Sequence, residues 1–400
     1  MSALRLFQAF GVELEYMIVD ASTLAVLPIT DRVLAEVAGR IESEVERGPL
    51  SWSNELVLHV LELKTNGPAP SLDGLAALFQ EHVGAINAIL APMGGRLMPT
   101  AMHPTMDPDK EMRLWPHVHS TVYDAFHRIF GCRGHGWSNL QSTHLNLPFS
   151  GDDEFGRLHA AIRLLLPLLP ALAASSPLVE GRPSGALDSR LDAYRGNCAR
   201  IPSVTGDVVP EPVFTRAAYE TEILERMYRD IAPLDPEGVL QDEWLNARGA
   251  IARFDRDTIE IRVLDVQECP AADLAILDLA VATLRALCDE RHATLREQQK
   301  WPVAPLAALL RATTHDADEA RIDDLAYLRL FGLSAPCSAG EVWRRIQRAL
   351  LPAAPAPLLH ILEKGPLARR ILRSMEAGRP QAEIYRRLCD CLQEGRMFEA

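Results

Sequence analysis

No GxxxxGKS/T phosphate loop and no GxGxxG dinucleotide fingerprint occurs in the 400 residues. A glycine-rich turn opening a helix is therefore not how this chain would cradle a phosphate. No CxxC pair occurs either. Seven cysteines, an odd number, lie scattered, which fits a reduced chain with inert thiols. Cys389 and Cys391 sit two apart in a helical pattern and point in different directions, so they should not share a metal. Long apolar runs are missing too. The longest, Leu164 to Ala174, contains two prolines and is too short to cross a bilayer. The opening MSALRLFQAF has one arginine and no long apolar core, so no signal peptide is expected. No internal repeat or low-complexity linker is evident. Positive charge is in deficit, with 41 Lys and Arg against 54 Asp and Glu and a net charge of −13. That argues against general nucleic-acid binding. ATP stays open, because magnesium and a few local arginines override a global sign. The expectation is a cytoplasmic protein with small-molecule partners, no nucleic acid and no membrane; its oligomeric state is not legible.

The chain is otherwise ordinary, with 24% charged and 48% hydrophobic residues, and long enough for one large domain or two smaller ones. Its organising stretch is FGVELEYMIVD, Phe10 to Asp20. As a strand it sets Val12, Leu14, Tyr16 and Ile18 on one face and Gly11, Glu13, Glu15 and Met17 on the other. The two carboxylates then lie roughly 7 Å apart and repel by roughly 2–3 kcal/mol if both stay ionised and unpaired. Water relieves this on an open face, and a divalent cation relieves it in a cleft.

Ile29 to Arg40 reads as a helix and Leu50 to Lys64 as strand material carrying Glu55 and Glu62. Those two glutamates are an odd number of residues apart, so one regular strand cannot aim both at one site; a bulge is needed, or Glu55 belongs to the preceding turn. Ser71 is expected to cap a helix running to about Leu90. Residues 91–140 read as an irregular, functional loop and a candidate lid, with an HxH at His117 and His119 expected to face solvent. Leu140 to Phe149 is a second strand with Ser142, His144 and Asn146 on its polar face. Helix follows from Asp153 to about Ala174, then a Gly- and Arg-rich loop with Arg182, Arg190 and Arg195, suited to anion contact or to a solvated turn. After a charged helix over Arg216 to Asp230, a late strand alternates Thr258, Glu260 and Arg262 against Ile259, Ile261 and Val263. Beyond Ala271 everything reads as helix: Ala271–Gln299, Val303–Thr313, Glu319–Leu330, Ala339–Leu350 and Pro380–Gln393.

Several strands therefore share one design, an apolar face backed by a polar face bearing Glu13 and Glu15, His144, or Glu260 and Arg262, with Glu62 a possible fourth. In one sheet they would build a concave acidic wall that calls for cations. Mostly oxygen ligands with one imidazole suit magnesium or manganese better than zinc. Nucleotide phosphates commonly complete such a shell, and Arg262 would take phosphate charge in a transition state.

At GVELEYMIVD, LELKTNGP, STHLNL, SSPLVEGRPSG with its following arginines, and TIEIRVLD, the chain resembles the glutamate–cysteine ligase family in its carboxylate–amine ligase branch. The likeness covers roughly residues 8–270. It implies an α+β fold: a curved, mainly antiparallel sheet like that of glutamine synthetase, backed by helices, with a helical C-terminal region. The expected division is a catalytic part over 1–270 and a helical part over 271–400 packed on the same domain. By that resemblance Glu13, Glu15, Glu62, His144 and Glu260 are metal ligands, with Glu55 possibly joining them or contacting substrate. Arg262 and Arg248 are phosphate contacts, and Arg182, Arg190 and Arg195 touch substrate carboxylate or phosphate. One departure stands out. Many members have HxH where this chain has His144-Leu145-Asn146, so Asn146 offers hydrogen bonds in place of a second imidazole.

The resemblance implies that the γ-carboxylate of glutamate attacks ATP with Mg2+ or Mn2+ present, and that an amine, most often cysteine, attacks the acyl phosphate. A different amine acceptor is the nearest alternative. Phosphate transfer to a guanidino compound is another, and so is a hydrolase built on His117, His119 and His144. A non-catalytic scaffold is the last, and the clustered acidic positions argue against it.

Overall fold

The computed structural model describes residues 4–400. Its frame is an eight-stranded antiparallel sheet. The strands are β1 (Gly11–Asp20), β2 (Glu44–Arg47), β3 (Leu50–Asn54), β4 (Val60–Thr65), β5 (Gly95–Met98), β6 (Ser142–Pro148), β7 (Ala250–Arg253) and β8 (Thr258–Asp265). They run in the order β2-β3-β4-β1-β6-β8-β7, with β5 pairing the far half of β1. The expected organising strand is thus central. It pairs β4 along one edge and β6 then β5 along the other.

Alternation fixes the two faces. Val12, Leu14, Tyr16 and Ile18 are fully buried with Leu61, Leu63, Leu145, Leu147, Ile259 and Ile261. The helix Pro270–Cys288, buried along most of its length, packs against the helices Leu75–Leu90 and Gly151–Leu165. The C-terminal helices return onto the first part of the chain. Trp343 Nε1 donates to the Leu168 carbonyl at 2.8 Å, Tyr327 Oη to the Leu164 carbonyl at 2.7 Å, and Arg96 pairs with Asp390 at 2.8 Å. One hydrophobic cluster runs through both regions. Among the described residues no helix is long and apolar enough to cross a membrane, and all seven cysteines are free and buried.

Several local expectations change. Leu50 to Lys64 is two strands joined by a turn at 55–59, not one. Ser71 does not cap the next helix: its hydroxyl accepts from the Asp73 amide, and the helix starts at Leu75 behind Gly74, whose φ of 82° suits glycine. The 91–140 stretch is less irregular than its prolines suggest, holding β5 and a helix over Ser120–Phe130. The expected helix at 319–330 shrinks to Leu325–Arg329 beside a short strand pair, Arg321–Ile322 with Cys337–Ser338. Two helices, Ala356–Lys364 and Leu367–Glu376, carry no signal that the sequence reading caught.

Candidate active site

The polar face of the sheet is an acidic trough. Antiparallel register sets Glu15 opposite Glu62, Glu13 opposite His144, and Glu260 opposite Asn146. Cross-strand partners share a face, so three strands deliver their acids to one place. Glu13, His144 and Glu260 each offer a ligand atom within 4.8 Å of the others, and so do Glu15, Glu62 and His144. His144 is common to both triads. Its Nδ1 lies 2.8 Å from Glu13, while its Nε2 is 2.8 Å from the Ser142 hydroxyl and 3.8 Å from Glu15.

Each acid is also held from behind. Glu15 accepts from the Ser142 amide at 2.6 Å, and Glu62 from Ser53 Oγ at 2.6 Å with Lys64 Nζ at 3.1 Å. Glu260 accepts from Arg262 Nε at 2.9 Å, and Glu13 from Asn146 Nδ2 at 3.0 Å. A Cβ at Gly11 would come within 2.9 Å of the Asn146 Cβ, so glycine leaves room for that amide.

The crowding of like charge shows in the acid–base behaviour. Burial and the neighbouring Glu13 push Glu62 up to about 7 despite Lys64. Burial and the charges of Glu15 and Glu62 push Glu55 well above the carboxylate range. Burial also works against the charged forms of Glu13 and His144, but their mutual hydrogen bond prevails, holding Glu13 at about 2 and His144 at about 9. Such a surplus of buried carboxylate matches a divalent cation. The donor set, four ligand carboxylates and one imidazole in two triads, is hard and oxygen-rich and fits magnesium or manganese.

The trough continues into two cavities. At one end a chamber of about 230 Å³ is reached past Glu15, Glu55 and His144. Its walls include Phe126, Trp137, Tyr194 and Trp244, and Arg190 and Arg262 also line it. Arg190 is buried and held by Asp265, with Nε to Oδ1 at 2.5 Å. Asp265 is itself fixed by the Ser175 amide and the Ser176 hydroxyl, each at 2.8 Å. At the other end a cavity of about 430 Å³ is bordered by Phe10, Lys64, Asn66, Pro68 and Arg256.

Glu13, Glu15, Glu62, His144, Asn146, Glu260 and Arg262 therefore converge, with Glu55 and Arg190 at the chamber. Glu55 follows the parity of Ser51 and Ser53 at the end of β3, and Glu62 lies on the next strand. Parity counted through the turn put no constraint on the pair. Three arginines fall elsewhere. Arg248 is buried against Glu211, with hydrogen bonds of 2.6 and 2.7 Å, and also donates to the Ser203 carbonyl. It faces the interior just before β7 and is no phosphate contact. Arg182 is exposed on a two-stranded hairpin, and Arg195 is exposed at a helix end beside Asp192, at 3.2 Å. Neither lines the trough or the chamber. The HxH does not form a ligand pair: His117 bonds Asp31 at 3.0 Å, and His119 precedes a helix with φ 74°.

Lys64, Ser53, Arg253, Arg256 and Asp265 were not singled out from the sequence. Lys64 had a signal, because it shares strand parity with Glu62. The aromatic wall had none: Tyr123, Trp137, Tyr194 and Trp244 come from separate segments without common spacing.

The family model for glutamate-cysteine ligase family 2 matches residues 9–390. A protein of Archaeoglobus fulgidus described only as uncharacterized is 35% identical over 77% of this chain and 85% of its own length. A putative glutamate–cysteine ligase of Rubrobacter xylanophilus is 27% identical over 86% of this chain and 84% of its own. Among solved structures, the glutamate–cysteine ligase of Francisella tularensis in complex with AMP aligns over 96% of this chain and 87% of its own, with a TM-score of 0.59 at 14% identity. The bifunctional glutathione synthetase of Pasteurella multocida aligns over 97% of this chain with a TM-score of 0.58 at 15% identity, and the chain spans only 52% of that enzyme. These two likenesses concern the fold.

Proposed function

As a chain that belongs to glutamate–cysteine ligase family 2, this protein is an ATP-dependent carboxylate–amine ligase, and we propose that the acid it activates is the γ-carboxylate of glutamate. The observation that supports this most is the pair of carboxylate–imidazole triads sharing His144, set at the mouth of a chamber that holds two arginines. Glu13, Glu15, Glu62, His144 and Glu260 would hold the divalent ions. Bound magnesium or manganese supplies neutralisation of phosphate charge.

The nucleotide lies toward Lys64, Asn66 and Arg256 with its phosphates over the trough, and glutamate lies in the chamber. Arg190 takes the α-carboxylate of glutamate, since Asp265 fixes its Nε while its Nη groups meet only the Arg262 carbonyl at 3.3 and 3.4 Å. Arg262, held by Glu260, faces the phosphoryl group in transfer. A γ-carboxylate oxygen attacks the γ-phosphorus, the bond to ADP breaks, and an acyl phosphate forms. The aromatic walls limit water around that species. An amine then displaces phosphate. Cysteine, the amine in the relatives' names, is one candidate, and a different amine is the other.

The test is ADP release with glutamate, magnesium and a panel of amines, with mass spectrometry of the product. The expected result is glutamate-dependent ADP formation and a γ-glutamyl amide. An ATP-independent hydrolysis lost on His117→Ala would instead favour the hydrolase.

A further inference from the structure

The identity of the attacking amine is constrained by the charges of the chamber, given the reading above that glutamate is the acid activated. Among the described residues, Arg190 and Arg262 are the only arginines lining the chamber, and no lysine lines it. Glutamate brings an α-carboxylate, which Arg190 takes, and Arg262 faces the phosphoryl group. His144 is committed to the acids of the trough. An α-amino acid acceptor would bring a second carboxylate into a cavity of about 230 Å³ with no cationic side chain left to meet it. A buried carboxylate without a partner is strongly disfavoured.

The rest of the wall is apolar or aromatic: Val57, Phe126, Trp137, Tyr194, Trp244 and Leu245. Aromatic faces attract an ammonium group and an apolar body alike. Glu55, at the junction with the trough, lines both cavities and adds acceptor oxygens for an N–H donor.

We propose that the acceptor is a carboxylate-free amine with an apolar or aromatic body, and not an α-amino acid. The ammonium form gives one proton to water. The nitrogen lone pair then forms the C–N bond to the acyl carbon. The C–O bond to phosphate breaks with its electrons going to phosphate, and the displaced nitrogen proton leaves on it as hydrogen phosphate.

Matched pairs that differ only by the carboxylate test this: cysteamine with cysteine, phenethylamine with phenylalanine, tyramine with tyrosine. Each is assayed with the full chain, ATP, Mg2+ and glutamate, reading phosphate release and the amide by mass spectrometry. Hydroxylamine serves as a small trap for activated glutamate. The expected result is kcat/KM higher for at least one amine than for its amino acid by roughly a hundredfold or more. Amino acids reacting as well as or better than their amines would overturn the proposal. So would γ-glutamyl hydroxamate forming while none of the six compounds reacts. If no hydroxamate forms, the failure lies in the glutamate reading itself, and this inference falls with it.

Discussion

Arg190 Nε and Asp265 Oδ1 lie 2.5 Å apart, and both residues are almost completely buried. The pair joins the helix Ser189–Tyr194 to the end of β8, so the guanidinium is aimed by a carboxylate that never reaches the chamber. Asp265 is a positioning residue. Asp265→Asn is expected to raise KM for glutamate at least tenfold, as the loss of a buried charge-assisted bond implies, while KM for ATP changes little. A uniform fall in kcat with both KM values unchanged would count against it.

Glu15→Gln and Glu260→Gln each remove one charge from a triad. Both variants should fold and lose ATP-dependent ligation by roughly a thousandfold or more, as removal of transition-state charge stabilisation implies. Circular dichroism checks the fold and ADP release checks the loss. Normal turnover in either variant would take that residue out of the site.

Arg248 separates a structural arginine from a catalytic one. Arg248→Met leaves Glu211 without its partner and should lower stability by about 3 kcal/mol, read by urea denaturation. Its folded fraction should turn over at the parental rate. Lost turnover in a stably folded variant would return Arg248 to the site.

Burial holds His159 down at about 3, in a pocket where it stacks on Phe155. Its ordinary value is near 6.5, so below that pH the unfolded chain takes up a proton that the folded one refuses. Stability from this group is complete above 6.5 and drains away as the pH falls toward 3. At pH 5 the loss is about 2 kcal/mol relative to neutral pH. The stability difference between the parent and His159→Phe should therefore shift in favour of the variant by that amount between pH 7.5 and 5. A pH-independent difference would show that His159 is not held neutral.

Much of the trough was legible because strand parity is local. Glu13, Glu15, Glu62, His144 and Glu260 each announce their face from immediate neighbours, and antiparallel pairing brings equal faces together. Arg248 misled because sequence position cannot say whether a guanidinium turns out to a ligand or in to a partner, and Glu211 lies 37 residues away. Asp265 was invisible for the same reason, its partner being 75 residues distant. Glu55 was misjudged by counting parity through a turn. The helices after 350 were missed because Pro355, Pro366 and Pro380 read as breaks, whereas each stands at an N-cap where its missing N–H is harmless.

Glutamate labelled with 18O in its γ-carboxylate, incubated with ATP, Mg2+ and hydroxylamine, gives the most direct measurement of whether this acidic sheet activates a carboxylate through its phosphate. The account predicts one 18O atom in each phosphate released, seen as a mass shift. Amide or hydroxamate formed alongside phosphate free of label would contradict it.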